Sequence, residues 1–113
     1  MERILKRRII NIIILIILII AVYFAFFYNP APPEVELAKC IGKNSILYVQ
    51  QGCPHCERQK DLFGENLQEI TVVDCSVAPQ DCLGITHTPT WKIKQENYIG
   101  VHSIEELKNL TQC

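Results

Sequence analysis

The sequence carries almost no net charge: 11 Lys and Arg against 12 Asp and Glu leave −1 at neutral pH. Nucleic-acid-binding domains need a basic footprint, and none is present. There is no internal repeat, which excludes a repeat architecture, and no low-complexity tract beyond one short proline cluster. A single Cys-x-x-Cys, at Cys53 and Cys56, stands without a second one, so the ligand set of a four-coordinate zinc site is missing and no metal is expected. The long apolar run from Ile9 to Tyr28 lacks the small residues that close a cleaved signal peptide; it ends in Tyr23, Phe24, Phe26, Phe27 and Tyr28. Lys39 directly before Cys40 argues against a lipoprotein cleavage site.

What is there begins with that run. Asn11 is its only strongly polar residue. About twenty helical residues reach roughly 30 Å, the thickness of a bilayer's hydrocarbon core. Arg3, Lys6, Arg7 and Arg8 precede it, and Glu34 and Glu36 follow. That asymmetry places the N-terminus in the cytoplasm and the rest outside, with the aromatic residues at the outer interface. The expected organisation is a basic cytoplasmic segment over residues 1–8, an uncleaved single-pass anchor in the lipid bilayer over 9–28, a proline-rich spacer over 29–36 and a folded extracytoplasmic domain over 37–113. Pro30, Pro32 and Pro33 favour an extended spacer.

A domain of about 80 residues has a marginal core and benefits from covalent staples. The chain has six cysteines, an even and high count that fits an oxidising compartment.

Cys53 and Cys56 sit between two different local patterns. Ser45 to Gln50 is rich in strand formers; Glu57 to Phe63 is made mostly of helix formers. Cys53 is therefore expected at a helix N-terminus, with Pro54 in the first turn, where its missing N–H costs little. The partial positive charge of a helix start stabilises a thiolate, which is the attacking form in disulfide exchange. Cys56, one turn on, can resolve a mixed disulfide. The pair reads as a redox-active dithiol, with Cys53 the nucleophile and Cys56 the more buried partner. His55 between them can add a hydrogen-bond donor or positive charge that favours the thiolate.

The remaining pattern gives a helix ending near Gly64, a buried strand over Ile70–Val73, a loop or short turn over Ser76–Gly84, and a strand over Thr90–Ile93. A turn at Lys94–Glu96 then leads to a strand over Asn97–Ile99. Ser103 and Glu106 form a capping box that opens a last helix to about Leu110. Trp91 is expected in the core or in a groove wall, His87 beside the site or on a surface loop, and His102 in solvent.

This order, β-α-β-β-β-α with the Cys-x-x-Cys after the first strand and Thr88-Pro89 just before the third, resembles the thioredoxin fold. The resemblance implies an α/β domain with a mixed sheet and a shortened second helix. It also implies a cis-proline at Pro89, with Thr88, lying beside the dithiol and shaping the groove for substrate backbone. More narrowly, residues 53–64, Pro89-Thr90-Trp91 and the cysteine pair at 75 and 82 are similar to the thioredoxin-like domain fused to, or partnered with, bacterial and archaeal homologues of vitamin K epoxide reductase. Two departures stand out. Thioredoxin reductants carry an aromatic residue where Gly52 stands, and a buried acid where Leu47 stands.

On that topology the first and fourth strands run toward the dithiol and the last helix runs back. Cys40 and Cys113 then meet at the far end, while Cys75 and Cys82 share one loop on the dithiol side. The expected structural bridges are Cys40–Cys113 and Cys75–Cys82; a second redox role for Cys75–Cys82, relaying electrons to the dithiol, stays open. The function expected is a membrane-anchored thiol–disulfide oxidoreductase that donates disulfides to exported proteins and needs no bound cofactor. The narrower resemblance implies reoxidation by a membrane quinone-linked oxidase. The alternatives are a tethered reductase or isomerase, for example in cytochrome maturation, and a non-enzymatic metal-binding or disulfide-stapled module.

Overall fold

A computed structural model describes residues 1–28 and 33–113. The chain divides into two compact units, one holding the first helix and the other everything from the second helix onward.

The first unit is a single helix, α1 (Glu2–Phe27), 26 residues long and about 39 Å from end to end. It is long and apolar enough to cross a membrane. It starts well before Ile9, because the Arg and Lys residues ahead of the apolar run are themselves good helix formers with no breaker among them. The segment 1–8 is thus mostly helical rather than a separate tail. Near the helix's C-terminal end the rings of Tyr23 and Phe27 stack at 4.9 Å.

The second unit opens with a helix that the proline cluster concealed. α2 (Pro33–Asn44) occupies residues 33–36 of the expected spacer; residues 29–32 of that spacer lie outside the described residues. Proline is tolerated in a first helical turn, because its missing N–H would have had no partner there. Beyond it, Leu37, Ala38 and Ile41 recur at helical spacing, and Ala38 and Ile41 are buried.

There follow β1 (Ser45–Val49), α3 (Pro54–Asp61), a 3₁₀ helix over Gly64–Glu69, β2 (Val72–Asp74), a 3₁₀ turn over Pro79–Cys82, β3 (Thr90–Ile93), β4 (Glu96–Ile99) and α4 (Ile104–Thr111). From β1 on this is the β-α-β-β-β-α order expected, in a mixed four-stranded sheet ordered β2-β1-β3-β4. β1 pairs parallel with β2, with Leu47 opposite Val72. It pairs antiparallel with β3, with Leu47 opposite Trp91, and β3 pairs antiparallel with β4. The single helix-length crossover makes β1 and β2 parallel, and the two-residue hairpin makes β3 and β4 antiparallel.

Three boundaries differ from expectation. α3 stops at Asp61, and Gly64, with φ +51°, opens the 3₁₀ helix instead of capping α3. Phe63 causes this: turning the chain there drops its ring into the core, 5.8 Å from Trp91. The second strand is shorter and later than Ile70–Val73, and it is an edge strand with Val72 exposed. Ile70 is buried, but before the strand begins. Glu96 belongs to β4, facing Ile93 across the ladder. The turn is only Lys94 and Gln95, both at positive φ (51° and 70°), as a two-residue hairpin that follows the strand twist requires.

The core lies on one face of the sheet. Leu47 and Val49 from β1 and Trp91 and Ile93 from β3 alternate inward, and they meet Ala38 and Ile41 from α2, Cys56 from α3, Phe63, Ile70 and Leu107 from α4. One glycine matters to this packing. A Cβ on Gly42 of α2 would overlap the carbonyl oxygen of Glu69, so only glycine lets α2 lie this close to the 3₁₀ segment. At the end away from the dithiol, Cys40 of α2 and the C-terminal Cys113 are bonded, with Cα atoms 5.9 Å apart.

Candidate functional site

Cys53 is the N-cap of α3, in extended backbone conformation, and Pro54 is the first helical residue. β1 delivers the chain to this point. Gly52 turns it through the left-handed region at φ +72°, and the Gln51 amide is held by Ser76 Oγ at 3.1 Å. The Cys53 sulfur then accepts the backbone N–H of Cys56 at 3.2 Å, satisfying one of the orphan donors of the helix start. Cys53 and Cys56 are bonded to each other, with Cα atoms 5.3 Å apart. Cys53 is half-buried, whereas Cys56 is fully buried among core residues. An attacker from solvent therefore reaches Cys53 and not Cys56.

The opposite wall of the site is the turn before β3. The Thr88–Pro89 peptide is cis, Pro89 is fully buried, and the Thr88 carbonyl oxygen lies 3.6 Å from the Cys53 sulfur. The Thr88 hydroxyl donates toward the same sulfur at 3.7 Å. Thr90 Oγ1 donates to the His87 carbonyl at 2.6 Å, and Gly100 N–H donates to the Pro89 carbonyl at 2.8 Å. Thr88 and Pro89 are thus brought to the dithiol, while His87 is exposed and its ring pairs with the Thr86 hydroxyl at 2.9 Å.

His55 is exposed at the second position of α3, and its Nδ1 accepts from the Arg58 guanidinium. Arg58, a permanent cation, thus stands on the same helix face as His55, about one turn beyond Cys53. The i,i+3 spacing of His55 and Arg58 was readable in the sequence.

Cys75 follows β2 on the dithiol side, its N–H donating to the Val49 carbonyl at 2.8 Å. It is bonded to Cys82 across a seven-residue separation, with Cα atoms 5.7 Å apart. Val77, inside the loop this bond closes, and Leu83, the residue just after it, are exposed to solvent.

Gln59 and His102, which no local pattern in the sequence links, are joined by hydrogen bonds close to the site. Gln59, three residues after Cys56 on the same face of α3, is fully buried. Its Oε1 accepts from Trp91 Nε1 at 2.9 Å and from the His102 backbone N–H at 2.7 Å. Its Nε2 donates to the His102 carbonyl at 3.0 Å. His102 is not a solvated residue. Besides these backbone bonds, its ring lies 3.1 Å from Glu106 Oε2 and 3.3 Å from the Ile99 carbonyl. Trp91 is core, not groove wall, with no exposed surface.

No family model matches the sequence. Among solved structures, the oxidised thioredoxin from Plasmodium falciparum, a solution structure, is similar over 68% of this chain and 88% of its own, at 21% identity and a TM-score of 0.45.

Proposed function

We propose that this protein is a membrane-anchored thiol–disulfide oxidoreductase whose exchange centre is Cys53 and Cys56. The observation that carries the reading is the asymmetry of the pair: one sulfur at the mouth of a helix N-terminus and open to solvent, its partner sealed in the core. A structural staple gains nothing from that asymmetry, whereas stepwise exchange requires it.

The chemistry follows from the geometry. A client thiolate attacks the Cys53 sulfur, the Cys53–Cys56 bond breaks, and Cys56 leaves as a thiolate that takes up a proton. A second client thiolate then attacks the client's own sulfur in the mixed disulfide and releases Cys53 as a thiolate. The client gains a disulfide, and two electrons remain on the Cys53–Cys56 dithiol. The helix N-terminus, the Cys56 N–H and the Thr88 hydroxyl all stabilise a thiolate on Cys53. Stabilising the reduced form makes the disulfide the stronger oxidant, so the favoured direction is donation of disulfides to clients. Val77 and Leu83, exposed on the neighbouring loop, suit the apolar stretches of unfolded exported chains.

In this reading α1 spans the bilayer with its basic end in the cytoplasm, and residues 37–113 work outside. Thr88 and Pro89 form the wall along which client backbone lies, with Pro54 and His55 on the other side. The Cys40–Cys113 and Cys75–Cys82 bonds are structural. Reoxidation falls to a membrane quinone-linked oxidase resembling vitamin K epoxide reductase, which accepts the two electrons through its own disulfide.

The test is a Cys56→Ala variant in cells. Cys53 can then form the mixed disulfide but cannot be released by its partner. Adducts with exported proteins and with a membrane oxidase should accumulate, and they should vanish in the Cys53→Ala, Cys56→Ala double variant. If no adducts form, the reading fails.

A further inference from the structure

The helix that carries the dithiol and the turn that faces it are separate pieces of chain, and one side chain ties them together. Gln59 lies one turn below Cys56 on α3, and both are fully buried. Through Oε1 it takes the indole N–H of Trp91, the second residue of β3, two residues after Pro89. Through Oε1 and Nε2 it takes both backbone groups of His102, in the segment between β4 and α4. That segment is in turn bonded to the Pro89 carbonyl through Gly100. The Thr88 oxygens stand at 3.6 and 3.7 Å from the Cys53 sulfur. The hydrogen bonds therefore close a ring: Cys53, Thr88–Pro89, Gly100 to His102, Gln59, and back along α3 through Cys56. Four fully buried polar or hydrogen-bonding residues support it or lie along it, Gln59, Trp91, Thr90 and Pro89.

We propose that Gln59 is a positioning residue for the exchange centre: it sets the distance between the Cys53 sulfur and the Thr88–Pro89 turn, and thereby the stability of the Cys53 thiolate. The inference rests on Cys53 and Cys56 being the exchange centre. A buried side chain of this kind is costly unless fully paired. Here both lone-pair directions of Oε1 and one N–H of the amide are used, and each goes to a different wall of the site or to the loop bracing it. Leucine at position 59 would fill similar space but leave the Trp91 indole and both His102 backbone groups unpaired. The turn would then shift, and the Thr88 hydroxyl would lose its hold on the sulfur.

The test uses the full chain in detergent, equilibrated with defined mixtures of reduced and oxidised glutathione. The dithiol fraction at Cys53 and Cys56 is read by alkylation and mass spectrometry, and the Cys53 thiolate by its ultraviolet absorbance against pH. Gln59→Leu is expected to move the equilibrium about tenfold toward the disulfide, the worth of about one hydrogen bond to a charged group, and to raise the pH at which the Cys53 thiol ionises. Gln59→Glu supplies a second readout. Its neutral carboxyl can still accept both N–H groups and donate to the His102 carbonyl; its ionised form cannot donate. The glutathione equilibrium of Gln59→Glu should therefore stay close to the wild type while the carboxyl is neutral and depart from it as the carboxyl ionises. Neither the wild type nor Gln59→Leu should show that added pH dependence. The inference is overturned if both variants fold, exchange within twofold of the wild type, and show no added pH dependence. If Gln59→Leu does not fold, Gln59→Glu decides alone. A wild-type chain that never exchanges with glutathione brings down the underlying reading, which a normal wild type with unaltered variants would leave standing.

Discussion

Replacing both Cys40 and Cys113 by serine removes the bond that ties the C-terminus to α2. The two residues are 73 apart in sequence, so the bond closes nearly the whole folded unit. In the chain-entropy account, a closed loop of that size restricts the unfolded state by about 4 kcal/mol. The bond between Cys75 and Cys82 spans only 7 residues, and the same relation gives about 2.5 kcal/mol. A unit of this size has a total stability of roughly 4–12 kcal/mol, so the first loss is a large share of the whole. Trp91 is the only tryptophan and is completely buried, which makes its fluorescence a direct reporter of unfolding. Denaturant titration of the full chain in detergent should show Cys40→Ser, Cys113→Ser losing more stability than Cys75→Ser, Cys82→Ser, by about 1–2 kcal/mol. Equal losses, or a loss below about 1 kcal/mol for the long loop, would refute the reasoning. In that case the C-terminus would be held by the packing of Leu107 and its neighbours and not by the bond.

Other outcomes follow from single contacts. Gly42→Ala should destabilise the unit by about 1–3 kcal/mol, since overlap with the Glu69 carbonyl outweighs the better helix propensity of alanine; a variant that melts higher would contradict the close approach of α2. Tyr98 donates to Glu96 Oε2 at 2.9 Å, and this hydrogen bond, then burial and the carboxylate's charge, hold its hydroxyl above the ordinary 10.0. The folded chain thus favours the neutral phenol, so the stabilisation is complete below about pH 10 and is lost as pH rises through the higher folded value. In a tyrosine-resolved NMR titration Glu96→Ala should bring Tyr98 ionisation to lower pH; an unchanged titration would remove the Glu96 contact as its cause.

Much of the site was legible because its residues announce themselves locally. Cys53 and Cys56 fall where a β-branched and aromatic run gives way to helix formers, and Ser103 with Glu106 marks a helix start by spacing alone; both capping bonds are present. The alternation in Thr90–Ile93 identified β3 to the residue. α2 was hidden because proline signals equally an extended spacer and a first helical turn, and only the packing of Ala38 and Ile41 decides between them. β2 begins later than the apolar run Ile70–Val73 because Ile70, at the end of the 3₁₀ segment, enters the core before the strand starts. Gln59 could not be read at all: a glutamine among Glu, Arg and Lys looks like a solvated helix face. Only its spacing of three from Cys56 hints that it turns inward. His102 was similarly concealed, since its partners come from α3, β4 and α4.

The most direct measurement is stepwise reduction of the full oxidised chain with limiting dithiothreitol, followed by alkylation and mass spectrometry. The account predicts that Cys53–Cys56 opens first, that the initial adduct is on Cys53, and that Cys40–Cys113 and Cys75–Cys82 persist until reductant is in excess. If Cys53–Cys56 instead outlasts the other two bonds, or first reacts through Cys56, this pair is not the exchange centre.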